Sequence, residues 1–333
     1  MNTKHILSRS VATLLVLVPF AVRAAVDTLT GTGAAVTTGV SWAAPVSPSA
    51  WSLGTLPGVS DNAVISATGF VDIRGSAAAF GATHSTEIQD LTFNSTAAVT
   101  LNNNSTTQPM LLILNGGRGA GVPLISTVGD FLYTITGPGT GAPAFPLSLQ
   151  LKASGDISVA ANILAISAVI GESGGARSIT KTGAGRLTLS VANTFTGGAT
   201  VLAGILEVTN NSALGSGATV VGGGTLEVNI PSATLTSSVI IVGAGGQIAT
   251  RGAVTLNNAI TLSGGTLATR STDTDNYAGA INVTANSFVA LKSYTTQVNS
   301  QSINISGQLT GSGSLDLSGN NTGGNGEIGR AHV

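Results

Sequence analysis

The 333-residue chain carries 45 Gly, 8% charged residues, 4% aromatic residues, no Cys and a formal net charge of −1. That balance excludes a basic footprint for nucleic acid and a polybasic patch for anionic lipid, and it rules out a disulfide framework. Hydrophobic residues reach 42%, mostly Val, Ile, Leu and Ala dispersed among Gly, Ser, Thr and Asn, a mixture that favours many short strands over helices.

In chain order, Lys4 and Arg9 precede an apolar run from Val11 to Phe20 that ends at Val22-Arg23-Ala24. The small residues suit a signal-peptidase site before Ala25, so residues 1–24 are read as a removable signal peptide. The run is shorter than the roughly 20 apolar residues that span a bilayer. Export is the expected consequence. Residues 25–175 are less regular and are expected to form a β-rich N-terminal cap and early coils, with Gly137-Pro138-Gly139 and Ala142-Pro143 as loops leaving the stack.

From 176 to 326 the chain repeats. A pattern of Gly, then Leu or Ile two residues on, then another apolar residue or Thr recurs at Gly185, Gly204, Gly224, Gly246, Gly265 and Gly313. Its Leu/Ile positions 187, 206, 226, 248 and 267 lie 19, 20, 22 and 19 apart, and the 48-residue gap to Leu315 is twice 24, with Leu291 at the midpoint. A second series interleaves at Val201, Val220, Val239, Ile260, Ile281 and Ile303. Self-similarity at a fixed period of about 20 residues signals a solenoid.

Within each piece apolar and polar residues alternate, as in Leu226-Glu227-Val228, so one edge of each strand faces inward and the other meets water. Glycines such as Gly222-Gly223-Gly224 fall where corners are needed. The predicted fold is all-β, a right-handed parallel β-helix of the pectin-lyase-like kind, its coils stacked about 4.8 Å apart. One coil cannot fold alone, and stacking supplies the missing burial and hydrogen bonds. A β-sandwich array would need closely and evenly spaced hairpin signals, and a leucine-rich repeat would need an Asn-centred Leu pattern; neither is present.

The stretch Ile179-Thr180-Lys181-Thr182-Gly183-Ala184-Gly185-Arg186-Leu187-Thr188-Leu189, followed by Asn193, Phe195, Gly197, Thr200 and Val201 and then Gly204, Leu206 and Val208, resembles the autotransporter-associated β-strand repeat, also called the passenger-associated transport repeat. The resemblance covers one unit, residues 179–208, with a weaker continuation at Ala213-Leu214-Gly215. A degenerate second start at Gly311-Ser312-Gly313 has Leu309 in place of the Lys. The resemblance implies a type V secretion passenger, with an outer-membrane translocation machinery or its own β-barrel as partner. Trp51, Leu56-Pro57-Gly58 and Asp61-Asn62-Ala63-Val64 resemble the stretch that opens the mature part of such proteins. The last seven residues, Glu327 to Val333, resemble the translation of a short-read sequencing adapter and are read as non-native.

Candidate chemistry is thin. Gly171-Glu172-Ser173-Gly174-Gly175 fits a Gly-x-Ser-x-Gly elbow, but catalysis needs a His base. His5 leaves with the signal peptide and His332 sits in the foreign tail, which leaves His84. A Gly/Ser corner is the better reading. Asp273-Thr274-Asp275-Asn276 lacks calcium-loop spacing and reads as a solvated loop. Gly183-Ala184-Gly185 reads as a β-corner rather than a phosphate loop. The acidic and basic residues look scattered. Lys181 belongs to the repeat motif, and its expected role is structural, through its stem and a hydrogen bond at a strand end. No cofactor or metal is expected, and no enzyme. The expectation is a secreted or surface-displayed structural and adhesive segment, touching glycans or neighbouring cells, that assists its own secretion. A passenger of a secreted hydrolase, protease-like or polysaccharide-active, is the alternative.

Overall fold

The structure is a computed structural model that describes residues 62–66, 69–72, 84–103, 108–116, 121–138, 145–270, 274–291 and 302–317, with strand backbone also at Val26–Leu29, Val40–Ser41 and Glu327–Ile328. The expected signal peptide and the stretch from Trp51 to Asp61 lie outside the described residues, as does most of the tail. Among the described residues there is no helix, and every ladder between strands of successive coils is parallel.

Three faces wind around one core. The first face is a sheet of 12 strands from Val26–Leu29 to Leu309–Gly311, and the second is a sheet of 12 strands from Val40–Ser41 to Leu315–Asp316. The third face is split. A sheet of four strands ends at Val169–Glu172, and a sheet of five begins at Ser232–Ala233. Between them, residues 190–198 and 209–218 carry no strand. This arrangement is a parallel β-helix, as the period predicts.

The period itself varies. In the first sheet Ile179 pairs with Ala199, Ala199 with Thr219, Thr219 with Ile240, Ile240 with Ile260 and Ile260 with Ile281. Those steps are nearly uniform and match the period read from the sequence. Earlier coils are longer, since Leu91 pairs with Ile125, Ile125 with Ile157 and Gly155 with Ile179. The longer coils explain why the N-terminal half shows no clear repeat: extra residues inserted between strands break the sequence period while leaving the stacking intact.

The core is one aliphatic column per inward position. Leu187, Leu206, Leu226, Ile248, Leu267 and Val289 are in register along the second sheet and all fully buried. The expected continuation through Leu291 and Leu315 is wrong: Leu291 pairs with Thr269 and Leu315 with Ser287, so Val289 takes the place in the ladder. The second series is corrected likewise. Val201 pairs with Val221 and then Val242, whereas Val220 faces outward, Val239 is 38% exposed and Ile303 belongs to the third face. A one-residue offset moves a strand residue to the opposite face, and the runs Val220-Val221 and Ile240-Ile241-Val242 leave that choice open in sequence. Gly137 and Pro138 stay within the strand Tyr133–Pro138, so they do not leave the stack.

Candidate functional site

The repeat unit occupies the coil where long coils give way to short, regular ones. One inward column of the first sheet runs Leu91, Ile125, Ile157, Lys181, Val201, Val221, Val242, Leu262 and Val283. A lysine therefore stands in a file of aliphatic side chains, and it is fully buried. Its stem fills an aliphatic place while its head turns to the corner. Lys181 Nζ donates to the carbonyls of Thr182 at 2.7 Å, Gly183 at 2.8 Å and Ala203 at 3.2 Å. The three ammonium N–H groups thus match three carbonyls drawn from two successive corners. The carbonyl nest is what makes the charge tolerable there.

Glycines make the nest possible. Gly183 has φ +74° and turns the chain away from the first sheet. Gly204, one coil above, has φ +65°, and a Cβ there would lie 2.3 Å from the Gly185 carbonyl oxygen and 2.8 Å from Lys181 Nζ. Only glycine leaves that space.

Burial lowers the Lys181 pKa to about 8. A free lysine titrates near 10.4, so between about pH 8 and 10.4 the folded chain holds fewer protons than the unfolded one. Stability therefore rises with pH across that window and is flat below it on this account. The urea midpoint of the wild type should climb from pH 8 to pH 10 more than that of Lys181→Met. Parallel curves would show that Lys181 does not titrate low.

The remaining motif residues fall on two faces and their corners. Leu187, Leu189, Leu206 and Val208 point inward on the second sheet, Val201 inward on the first and Thr200 outward on it. Gly185 lies against the Asn162 carbonyl and Gly197 against Arg177 at the corner leading back to the first sheet. Asn193 and Phe195 are buried on the third face, where no strand forms. At the entry to the unit the Glu172 carboxylate accepts from Thr196 Oγ1 at 2.6 Å, Thr196 N at 3.0 Å and Arg177 N at 2.6 Å. Burial pushes its pKa up, but these hydrogen bonds and the Arg177 charge hold it below the usual carboxylate range.

One cluster escaped the sequence reading. Glu207 and Glu227 are register partners on the outer face of the second sheet. Arg186 Nη1 lies 3.0 Å from Glu207 Oε2 and 2.7 Å from Glu227 Oε1, while Arg270 Nη1 lies 3.0 Å from Glu227 Oε2. Arg251 joins more loosely, at 3.4 and 3.5 Å from the two glutamates. The charges are therefore gathered rather than scattered. The usable signal was the coil period, which puts 207 and 227 one coil apart.

The other candidates dissolve in the geometry. Ser173 follows the strand Val169–Glu172, and His84 precedes Ser85–Ile88 at the opposite edge of the same four-stranded sheet. Three strand spacings and five residues along the strand separate them by roughly 20 Å, so they cannot form a dyad. Gly174 and Gly175, at φ +73° and +117°, make the corner expected there. Residues 274–277 are a strand, not a solvated loop. Asp275 is fully buried, accepts from Val254 N at 2.8 Å and from Thr269 Oγ1, and offers no oxygen to a solvent cation. Tyr277 beside it donates to the Ala268 carbonyl at 2.7 Å, and burial drives its hydroxyl pKa up.

Fold and corner together define a parallel β-helical solenoid with a lysine-centred repeat. Residues 179–208 match the family model of the passenger-associated-transport-repeat, and this supports an autotransporter passenger repeat protein. The matched segment is the coil and a half that carries Lys181, Asn193 and Gly204. Such a repeat points to a secreted or surface location. No curated protein and no solved structure matches the chain.

Proposed function

We propose that this chain is a non-catalytic β-helical passenger segment, displayed at or released from the cell surface, whose repeat unit assists its own outer-membrane passage and folding and whose outer faces serve adhesion. The observation that carries the reading is the family match on a coil built to hold itself together. Residues 179–208 contain a buried lysine that bonds carbonyls of two corners. A chain emerging end-first through a pore gains nothing from contacts distant in sequence until both partners are outside. Parallel coils meet that constraint, because each new coil bonds to its neighbour about 20 residues away. The wide separation of Ser173 and His84, at opposite edges of their sheet, supports the non-catalytic part. The partners are then an outer-membrane β-barrel or translocation machinery and, outside, glycans or neighbouring cell surfaces.

The test is to express the whole chain ahead of an outer-membrane transport barrel and to add external proteinase and antibody to intact cells. Surface detection with a proteinase-resistant core is expected, together with a severalfold drop in displayed material for Lys181→Ala. Retention in the periplasm, while an unrelated passenger on the same barrel is displayed, would overturn the reading. Display without any gain in cell attachment would remove its adhesive part alone.

A further inference from the structure

On the first two faces backbone ladders run through all the described coils, but on the third face the ladder stops after Val169–Glu172 and resumes at Ser232–Ala233. A solenoid behaves as a row of units coupled through nearest-neighbour interfaces, and it separates where an interface is weakest. The gap in the third face is such a place, and within it one buried side chain reaches both neighbouring coils. Asn193 is 6% exposed. Its Oδ1 accepts from Ile170 N in the coil below at 2.8 Å, and its Nδ2 donates to the Ala213 carbonyl in the coil above at 2.6 Å. Its backbone N donates to Ser212 O at 3.0 Å, and Thr194 N donates to Ile170 O at 2.9 Å. The carboxamide has the shape of a peptide group, with one acceptor and donors on a planar frame. It replaces the missing rung and binds three consecutive coils at once.

We propose that Asn193 is the coupling tie of the rod: it joins the block below residue 172 to the block above residue 219 so that both fold and unfold as one unit. This deepens the reading of the repeat as a folding aid and rests on it. Above Ala213 the tie is continued by Asn211, whose Oδ1 accepts from Thr234 N at 2.9 Å, while on the lower side Glu172 adds bonds to Thr196 at the edge of the loop. Phe195 and Leu214, both fully buried beside it, fill volume without carrying a hydrogen bond across the gap through their side chains.

The test compares Asn193→Ala with Asn193→Asp in the full chain, by amide hydrogen exchange and limited proteolysis. Alanine leaves the Ile170 amide without its acceptor, so its exchange should accelerate about 10- to 100-fold. Cleavage should then appear within 190–217 and yield two fragments that both stay folded, and urea unfolding should resolve into two steps. Aspartate keeps the acceptor and loses the donor, so Ile170 should stay protected while the Ala213 side opens. Should the alanine variant fail to fold, this asymmetry in the aspartate variant still decides the matter. A single unfolding step in both variants, or exchange that rises equally along the whole rod, overturns the tie. Surface display of the unaltered chain is measured separately, so loss of the tie with display retained removes this inference and leaves the passenger reading standing.

Discussion

Replacing Lys181 by alanine should lower the stability of the chain by about 3–5 kcal/mol, while methionine at the same place should cost about 1–2 kcal/mol. The two substitutions separate the stem from the head. Alanine removes three buried methylenes, worth about 0.8 kcal/mol each, and opens a void in a column that is otherwise continuous from Ile157 to Val201. It also strands the Thr182, Gly183 and Ala203 carbonyls that the ammonium bonds. Methionine refills the column and strands only the carbonyls. Those residues are half-buried, so water can partly replace the lost donor, which keeps the methionine cost small. Urea unfolding at pH 7, where the ammonium is charged, reads both values. A methionine variant as stable as the wild type would mean that the desolvation of the charge cancels its hydrogen bonds, and that Lys181 serves only as an aliphatic filler.

Much of this fold can be read from the sequence for one reason: each coil returns the chain to the same place, so the inward side chain recurs once per coil. Leu187, Leu206, Leu226, Ile248 and Leu267 were legible because each stands two residues after a glycine that recurs once per coil. Val220 and Val221 were not, since two adjacent valines carry no phase. Asp275 looked like loop because acidic residues are rare inside; its burial rests on a backbone amide and a hydroxyl that the sequence does not place beside it. The Lys181 nest was half legible. The residue was visible as an anomaly in an apolar pattern, but its acceptors are backbone carbonyls, and these have no sequence signature. Asn193 was visible only as a member of the motif. The gap that makes it matter is an absence of strand at 190–198 and again one coil on at 209–218, and the motif residues alone do not signal it.

The second large effect is expected at Glu227. Glu227→Ala should cost about 3 kcal/mol and Glu227→Gln about half of that, because the carboxylate is fully buried and its removal takes a counter-charge from Arg186, Arg251 and Arg270, of which Arg186 and Arg251 also reach Glu207. Glutamine keeps the shape and a hydrogen-bonding oxygen but not the charge. The three arginines do not share the effect equally. The Arg186 and Arg270 side chains are 15% and 19% exposed and lie within 3.0 Å, whereas Arg251 is 45% exposed at 3.5 Å, where water and salt screen it. A double-mutant cycle should therefore give a coupling of about 1 kcal/mol or more between Glu227 and Arg270 and under about 0.5 kcal/mol between Glu227 and Arg251. Equal couplings would show that the cluster acts as a diffuse field rather than as two short bonds. Because Arg186 and Glu227 sit in coils two turns apart, the strong pair also links coils that share no backbone ladder. Its loss should loosen the second face in the segment where Asn193 bridges the third.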